Sequence, residues 1–217
     1  GYGPNISALN SLVSKGSNLI ITVDCGINSH EPLKELNKTD IDCIIIDHHT
    51  PDDDLPPAFS IVNPKRKENG IEYHYLSAVG VTFIMIVGLT RELRQRCIFE
   101  KIKEPNLFKF LDLVALGTVC DVVPLKGLNR CFVKAGLNII SQRKNLGINA
   151  LCDISDLNKI PDEETLGYKL GPKINAAGRI GSSEIGVSLL ISKDINKANE
   201  LCLLYTSPSP RDKRQSR

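Results

Sequence analysis

The sequence contains no tryptophan, and aromatic residues fill only 5% of its 217 positions. Stacking platforms for single-stranded nucleic acid are built from aromatic side chains, so composition alone offers no such surface. Cysteine occurs seven times, at positions 25, 43, 97, 120, 131, 152 and 202, but never as C-x-x-C. A zinc site of paired thiolates is therefore not indicated. Several of these thiols lie inside apolar runs, which reads as reduced, buried cysteine in a cytoplasmic protein rather than a disulfide frame. No signal-peptide pattern opens the sequence, and no apolar run reaches the ~20 residues that a membrane crossing needs.

A strong excess of one charge is also missing. The formal net charge is +2, and residues 205–217 (YTSPSPRDKRQSR) account for it, since their four cations and one acid contribute +3 and leave about −1 for the rest. The weak basic balance thus gives no argument for nucleic-acid binding. That last stretch interrupts an amphipathic helical pattern and has no hydrophobic period of its own. It is expected to be a non-native, adaptor-like tail, with a native basic tail as the alternative.

What the sequence does have is a 41% hydrophobic content, enough for a real core. Two apolar runs end abruptly in acids: NLIITVDCG (18–26) and IIIDHH (44–49). Both are short and rich in Ile and Val, which predicts buried strands. Between them SHEPLKELNK (29–38) predicts a helix capped by Ser29, with Leu33 and Leu36 facing inward. Strand, helix and strand in about 30 residues form a βαβ unit with parallel strands. The carboxyl ends of the strands then share one sheet edge, where open α/β sheets hold their ligands. Asp24, Asp47, His48 and His49 are expected to converge there. Carboxylate with imidazole suits Mn²⁺, and suits Zn²⁺ less well without a thiolate. The same histidine pair would equally serve as a general base. The bland alternative is a helix-capping Asp with two surface histidines in a turn.

VDCG followed by IDHH at βαβ spacing resembles two consecutive motifs of the DHH phosphoesterases. The resemblance implies an α/β fold with a mostly parallel sheet, flanking helices and a helical C-terminal portion. It also implies a pair of metal ions, Mn²⁺ or alternatively Mg²⁺, which hydrolyse phosphoester or phosphoanhydride bonds. Ions about 4 Å apart activate water and stabilise the attacking and leaving oxygens together. By the same resemblance Asp24 is a bridging metal ligand, His48 a ligand of the second ion and His49 a contact to the scissile phosphate. Asp47 would orient a histidine ring.

The remaining segments are taken in order. Residues 1–15 open with Gly and Pro and continue in a helical period through Ile6, Leu9, Leu12 and Val13. The family carries a further Asp-x-Asp motif upstream, and nothing in residues 1–17 matches it. The chain therefore reads as a partial catalytic core over residues 1–204, inactive by itself. The acids Asp52–Asp54 read as a solvated loop, FSIVNP (59–64) as a third strand, and KRKENG (65–70) as a surface turn in which Lys65 or Arg66 could meet phosphate. His74 reads as an ordinary surface histidine. LSAVGVTFIMIVGLTRELRQR (76–96) predicts a helix capped by Ser77, apolar nearly all round in its first half and so deeply buried. Gly80 there suggests close packing.

NLFKFLDLVALGTVCDVVPL (106–125) predicts a helix leading to Asp121 in an apolar setting. A buried acid there would cost several kcal/mol unless paired or bound to metal. GTVCDVVPL resembles the fourth DHH motif, which implies Asp121, expected to be buried among Val119, Val122 and Val123, as a metal ligand; the alternative is a helix-terminal cap. Helices are also expected over 128–144, briefly after 146, from Pro161, and over 183–193 and 194–204.

GYKLGPKINAAGRIGSS (167–183) reads either as a phosphate-binding segment, with Lys173, Asn175 and Arg179 as the polar contacts, or as a loop whose glycines serve turns. It resembles G-P-R-x-N-A-A-G-R of the superfamily's single-strand-specific 5′→3′ DNA exonucleases. Lys173 stands where Arg is usual, losing the bidentate fork. The resemblance implies single-stranded DNA as substrate, a role in repair and recombination, and single-strand-binding protein and helicase as partners. The alternatives are a phosphodiesterase for dinucleotides or short oligoribonucleotides, and a non-catalytic DHH-like binding module.

Overall fold

A computed structural model describes residues 3–155, 157, 161–180 and 184–206, without the side chains of 176–180 and 204–206. The chain divides into two compact units, Gly1–Asn106 and Leu107–Arg217.

The first unit is an α/β layer. Helix α1 (Ile6–Ser14) starts at Asn5, whose side chain accepts from the Ala8 N–H at 2.9 Å. Strand β1 (Leu19–Val23), helix α2 (His30–Leu36), and strands β2 (Asp42–Ile46) and β3 (Ser60–Val62) follow. The sheet is wholly parallel, in the order β1-β2-β3. Leu9 of α1 and Leu33 and Leu36 of α2 bury one sheet face with Ile20, Cys43 and Ile45. The expected βαβ unit is present. Ser29 occupies the cap position of α2, but its side chain makes no capping bond.

Two expectations of burial need correction. Along β1, burial alternates, and Ile21 and Val23 are each 50% exposed. The reason is that α1 and α2 cover one face of the sheet, so alternate β1 side chains on the other face meet solvent. Helix α3 (Ala78–Gln95) is capped as expected, with Ser77 Oγ accepting from the Gly80 N–H at 3.2 Å. Its buried residues are only Ala78, Gly80, Val81 and Thr90, whereas Ile84, Val87 and Leu89 are exposed. An apolar all-round sequence does not guarantee burial when one side of a helix is in contact with the sheet.

The second unit is helical. It comprises α4 (Leu111–Cys120), α5 (Gly127–Ser141), α6 (Leu146–Asp153), α7 (Gly171–Ile180), α8 (Glu184–Leu190) and α9 (Ile195–Thr206). Its core joins Ala115, Leu116, Val133, Ile148, Leu151 and Leu189. The glycine-rich stretch differs from the loop alternative. Residues Thr165–Leu170 form a π-helical turn that runs directly into α7. Gly171 has helical φ of −55° and serves no turn. A Cβ on it would meet Cys120 Sγ at 2.7 Å and the Leu166 carbonyl oxygen at 3.1 Å, so close packing explains it. The suspected tail begins within α9, since Tyr205 and Thr206 are helical; residues 207–217 lie outside the described residues.

Candidate metal centre

The parallel register lines up three strand ends. Val23 pairs with Ile46, and Ile46 with Val62. The next residue on each strand is Asp24, Asp47 and Asn63. The Asp24 N–H donates to the Ile46 carbonyl at 2.9 Å, and the Asp47 N–H to the Val62 carbonyl at 3.0 Å. Asp24 leaves the strand in the left-handed region, at φ 62°. That conformation costs on the order of 1 kcal/mol for a residue with a Cβ. Gly26 completes the turn at φ +109°, where a Cβ would lie 2.7 Å from Thr22 Oγ1. The sharp exit is what ends the apolar run in an acid that is half exposed in the crevice.

Asp47 is fully buried, and both its oxygens are engaged. Oδ1 accepts from the His48 N–H at 2.7 Å, the His49 N–H at 3.2 Å and His49 Nδ1 at 2.7 Å. Oδ2 accepts from the Ile27 N–H at 3.1 Å. Burial pushes the carboxyl up, but these hydrogen bonds, led by the His49 ring, outweigh it and hold Asp47 below its ordinary value. An ionised carboxylate only accepts, so His49 Nδ1 carries a proton and donates it, and the ring is held with Nε2 on the side away from Asp47.

His48 is fixed by the same logic. Its Nδ1 lies 3.0 Å from the Leu76 carbonyl oxygen, just before α3, which assigns the proton to Nδ1. The lone pair on Nε2 then faces Asp24 Oδ1 at 3.4 Å. The two imidazoles meet edge-on, with centroids 4.6 Å apart. One ligand atom from each of Asp24, His48 and His49 lies within 4.8 Å of the others, a group able to hold a metal ion. The Cys25 thiol next door is pushed up by burial and then by the charges of Asp47 and Asp24. It stays protonated and donates to the Val23 carbonyl at 3.4 Å. The donor set is therefore carboxylate and imidazole without thiolate, a mixed O/N set that suits a divalent ion such as Mn²⁺.

The loops around the crevice are tied together. Asn28 Nδ2 donates to the Thr50 carbonyl at 3.1 Å, and its Oδ1 accepts from the Asp52 N–H at 3.0 Å. Asp52 Oδ2 lies 3.3 Å from His30 Nε2 and Asp53 pairs with Lys67 at 3.0 Å, both at the surface. Arg66 is turned inward, donating to the Ile61 carbonyl at 2.7 Å and pairing with Glu68. His74 is half-buried rather than a plain surface residue, and its Nε2 is shielded from solvent.

The other anticipated residues belong to the second unit. Asp121 caps the C-terminus of α4 and is exposed, as is Val122 at 88%. The expectation that Val119, Val122 and Val123 bury this acid is corrected: the helix ends at Cys120 and the chain turns outward, with Val122 at φ 56°. The buried acid is Asp112, 3% exposed in the first turn of α4. Burial raises its carboxyl above the ordinary value, although it accepts from the Leu113 N–H and the Asn145 side chain. Sequence reading misses it, although the signal is there: an acid inside FLDLVAL. On α7, Lys173 is half-buried and near enough to Cys202 to act on its thiol, which burial pushes up to about 11. Asn175 is exposed. Helical spacing puts Asn175 and Arg179 on one face and Lys173 on the opposite side. The Arg179 side chain lies outside the described ones.

Residues 3–118 match the DHH family, N-terminal domain, and these carry both acid-ended strands and the histidine pair. The chain belongs to the DHH family. Among curated proteins, this DHH chain is 40% identical over 205 residues to the single-stranded-DNA-specific exonuclease RecJ of Haemophilus influenzae. It is 39% identical over 206 residues to RecJ of Escherichia coli. The alignments take in 94% and 93% of the chain but only 36% of either relative, so the chain spans about a third of their length. A crystal structure of exonuclease RecJ bound to manganese superposes with a TM-score of 0.81 and 30% identity, covering 100% of this chain and 52% of that one.

Proposed function

We propose that this DHH chain is the metal-holding core of a 5′→3′ exonuclease that hydrolyses phosphodiester bonds of single-stranded DNA. The observation that carries the reading is the Asp24–His48–His49 cluster, in which hydrogen bonds at Nδ1 orient both imidazoles and bring His48 Nε2 to 3.4 Å from Asp24 Oδ1. Asp24 and His48 hold a divalent ion, Mn²⁺ or alternatively Mg²⁺, with Asp121 as a further ligand. The bound ions supply an activated water and neutralise charge developing on the phosphate. Asp47 keeps the His49 ring in one orientation, and His49 meets a phosphate oxygen by donating from a protonated Nε2. Asn175 and Arg179, with Lys173 adding charge, position the strand. The manganese-bound RecJ structure and the RecJ relatives support the ion and the substrate class.

The test uses the product of the whole reading frame. Incubated with Mn²⁺ and single-stranded DNA labelled at the 5′ terminus, it should release labelled mononucleotide. Asp24→Ala should abolish release while the protein stays folded. Turnover retained by Asp24→Ala removes that residue from the metal site, and hydrolysis of dinucleotides in preference to long strands moves the substrate to short oligoribonucleotides.

A further inference from the structure

Asn63 follows β3 at the third position of the row of strand ends formed by Asp24 and Asp47, and it is only 3% exposed. Its carboxamide is used at both atoms. Nδ2 donates to the His49 carbonyl at 2.9 Å, and Oδ1 accepts from the Lys65 N–H at 2.8 Å. Both partners are backbone groups of fixed polarity, so the amide orientation follows from them. The Asn63 carbonyl is itself held by Asn69 Nδ2 at 2.8 Å. His49 is thereby fixed at its two ends: Asp47 takes its N–H and Nδ1, and Asn63 takes its carbonyl.

We propose that Asn63 is a positioning residue for His49. A side chain at this buried point must donate and accept at once, which a carboxamide does and an ionised carboxylate cannot. The Asn63→Asp substitution would set an anion against the His49 carbonyl oxygen, a buried repulsion that moves His49 unless the new carboxyl takes up a proton, an escape that Asn63→Ala does not have. The Asn63 carboxamide bonds to backbone groups of His49 and Lys65. It acts on how the His49 imidazole is presented, not on how a metal is held. Its effect on catalysis rests on the reading of His49 as a phosphate contact, whereas its effect on the ring does not.

The experiment compares wild type, Asn63→Asp and Asn63→Ala by three readouts. These are imidazole ¹⁵N signals of the 217-residue chain, Mn²⁺ affinity, and kcat and KM of the whole reading-frame product on labelled single-stranded DNA. Asn63→Asp keeps the acceptor that Lys65 uses but replaces the donor to His49 with a charge, and Asn63→Ala removes the donor without adding one. Expected are a shift of the His49 ring signals from one fixed tautomer toward averaging, and Mn²⁺ affinity within about twofold. A fall in kcat of about tenfold or more should accompany them, with KM little changed. In the wild-type chain, which needs no variant to fold, the Asn63 side-chain amide protons should be protected from exchange. Unaltered His49 signals in Asn63→Ala overturn the proposal, as do unprotected amide protons. A loss of Mn²⁺ affinity equal to the loss of activity also overturns it, because Asn63 would then merely support the fold. If wild type shows no metal-dependent turnover while the His49 signals still respond to Asn63→Asp, the exonuclease reading fails and the positioning role stands.

Discussion

Asp47 shows how much one buried carboxylate can organise. Four donors converge on it, three of them backbone N–H groups of the surrounding turns. Asp47→Asn would aim an amide at one of those donors. Hydrogen bonds to a charged group contribute about 1.5–3 kcal/mol each, and a buried donor left unmet costs a similar amount. We expect Asp47→Asn to lower stability by about 2–4 kcal/mol, seen as a shift in the urea midpoint. An unchanged midpoint would mean that the Asp47 charge does not hold the turn.

Asp112 gives the opposite sign. Burial raises its carboxyl in the folded chain, so folding favours the protonated form. Its contribution is fully present below the unfolded value and is lost as pH rises toward the folded one. The stability of wild type relative to Asp112→Asn should therefore decline across the acidic range and level off near neutrality. Urea midpoints of the two proteins from about pH 3.5 to 7 check this, and a constant difference would contradict it. Of the residues in the site, the acids and histidines could be read from their places at the ends of apolar runs. Asn63 could not, because its partner, the His49 carbonyl, becomes its neighbour only through the β2–β3 register. The exposure of Asp121 was equally hidden, since valines on either side say nothing about where a helix stops.

Among the elements, α2 and the three strands followed from pattern alone, because period and length agree in those segments. The sequence did not reveal that only one face of β1 is covered, which leaves alternate side chains exposed. Nor did it reveal that GPKINAAG continues a helix. Glycine usually argues against helix interiors, but here it admits Cys120 against α7. Two effects compete at Gly171. Alanine is the better helix former by roughly 1 kcal/mol, while a Cβ 2.7 Å from Cys120 Sγ must displace that side chain. Overpacking costs about 1–3 kcal/mol, so Gly171→Ala should destabilise the second unit in thermal melts. A raised midpoint would show that Cys120 moves aside at little cost and that helix propensity wins.

At the scale of the whole molecule, each unit brings different chemistry. The first collects the carboxylate and imidazoles that suit a divalent ion; the second carries α7 with its polar face. If that face meets the phosphates of a strand, Arg179→Ala should weaken single-stranded DNA binding uniformly across sequences. It should also reduce the dependence of log K on log salt by about 0.7, the share of one phosphate that the side chain no longer neutralises. Binding titrations at several salt concentrations measure this, and an unchanged slope would place Arg179 away from the strand. The account depends most on the crevice between Asp24 and His48. Anomalous diffraction at the manganese edge, on crystals grown with Mn²⁺, locates the ion directly. The predicted result is a peak within ligand distance of the Asp24 carboxylate and His48 Nε2, absent in Asp24→Ala. A peak elsewhere, or none at this crevice in wild type, would contradict the account.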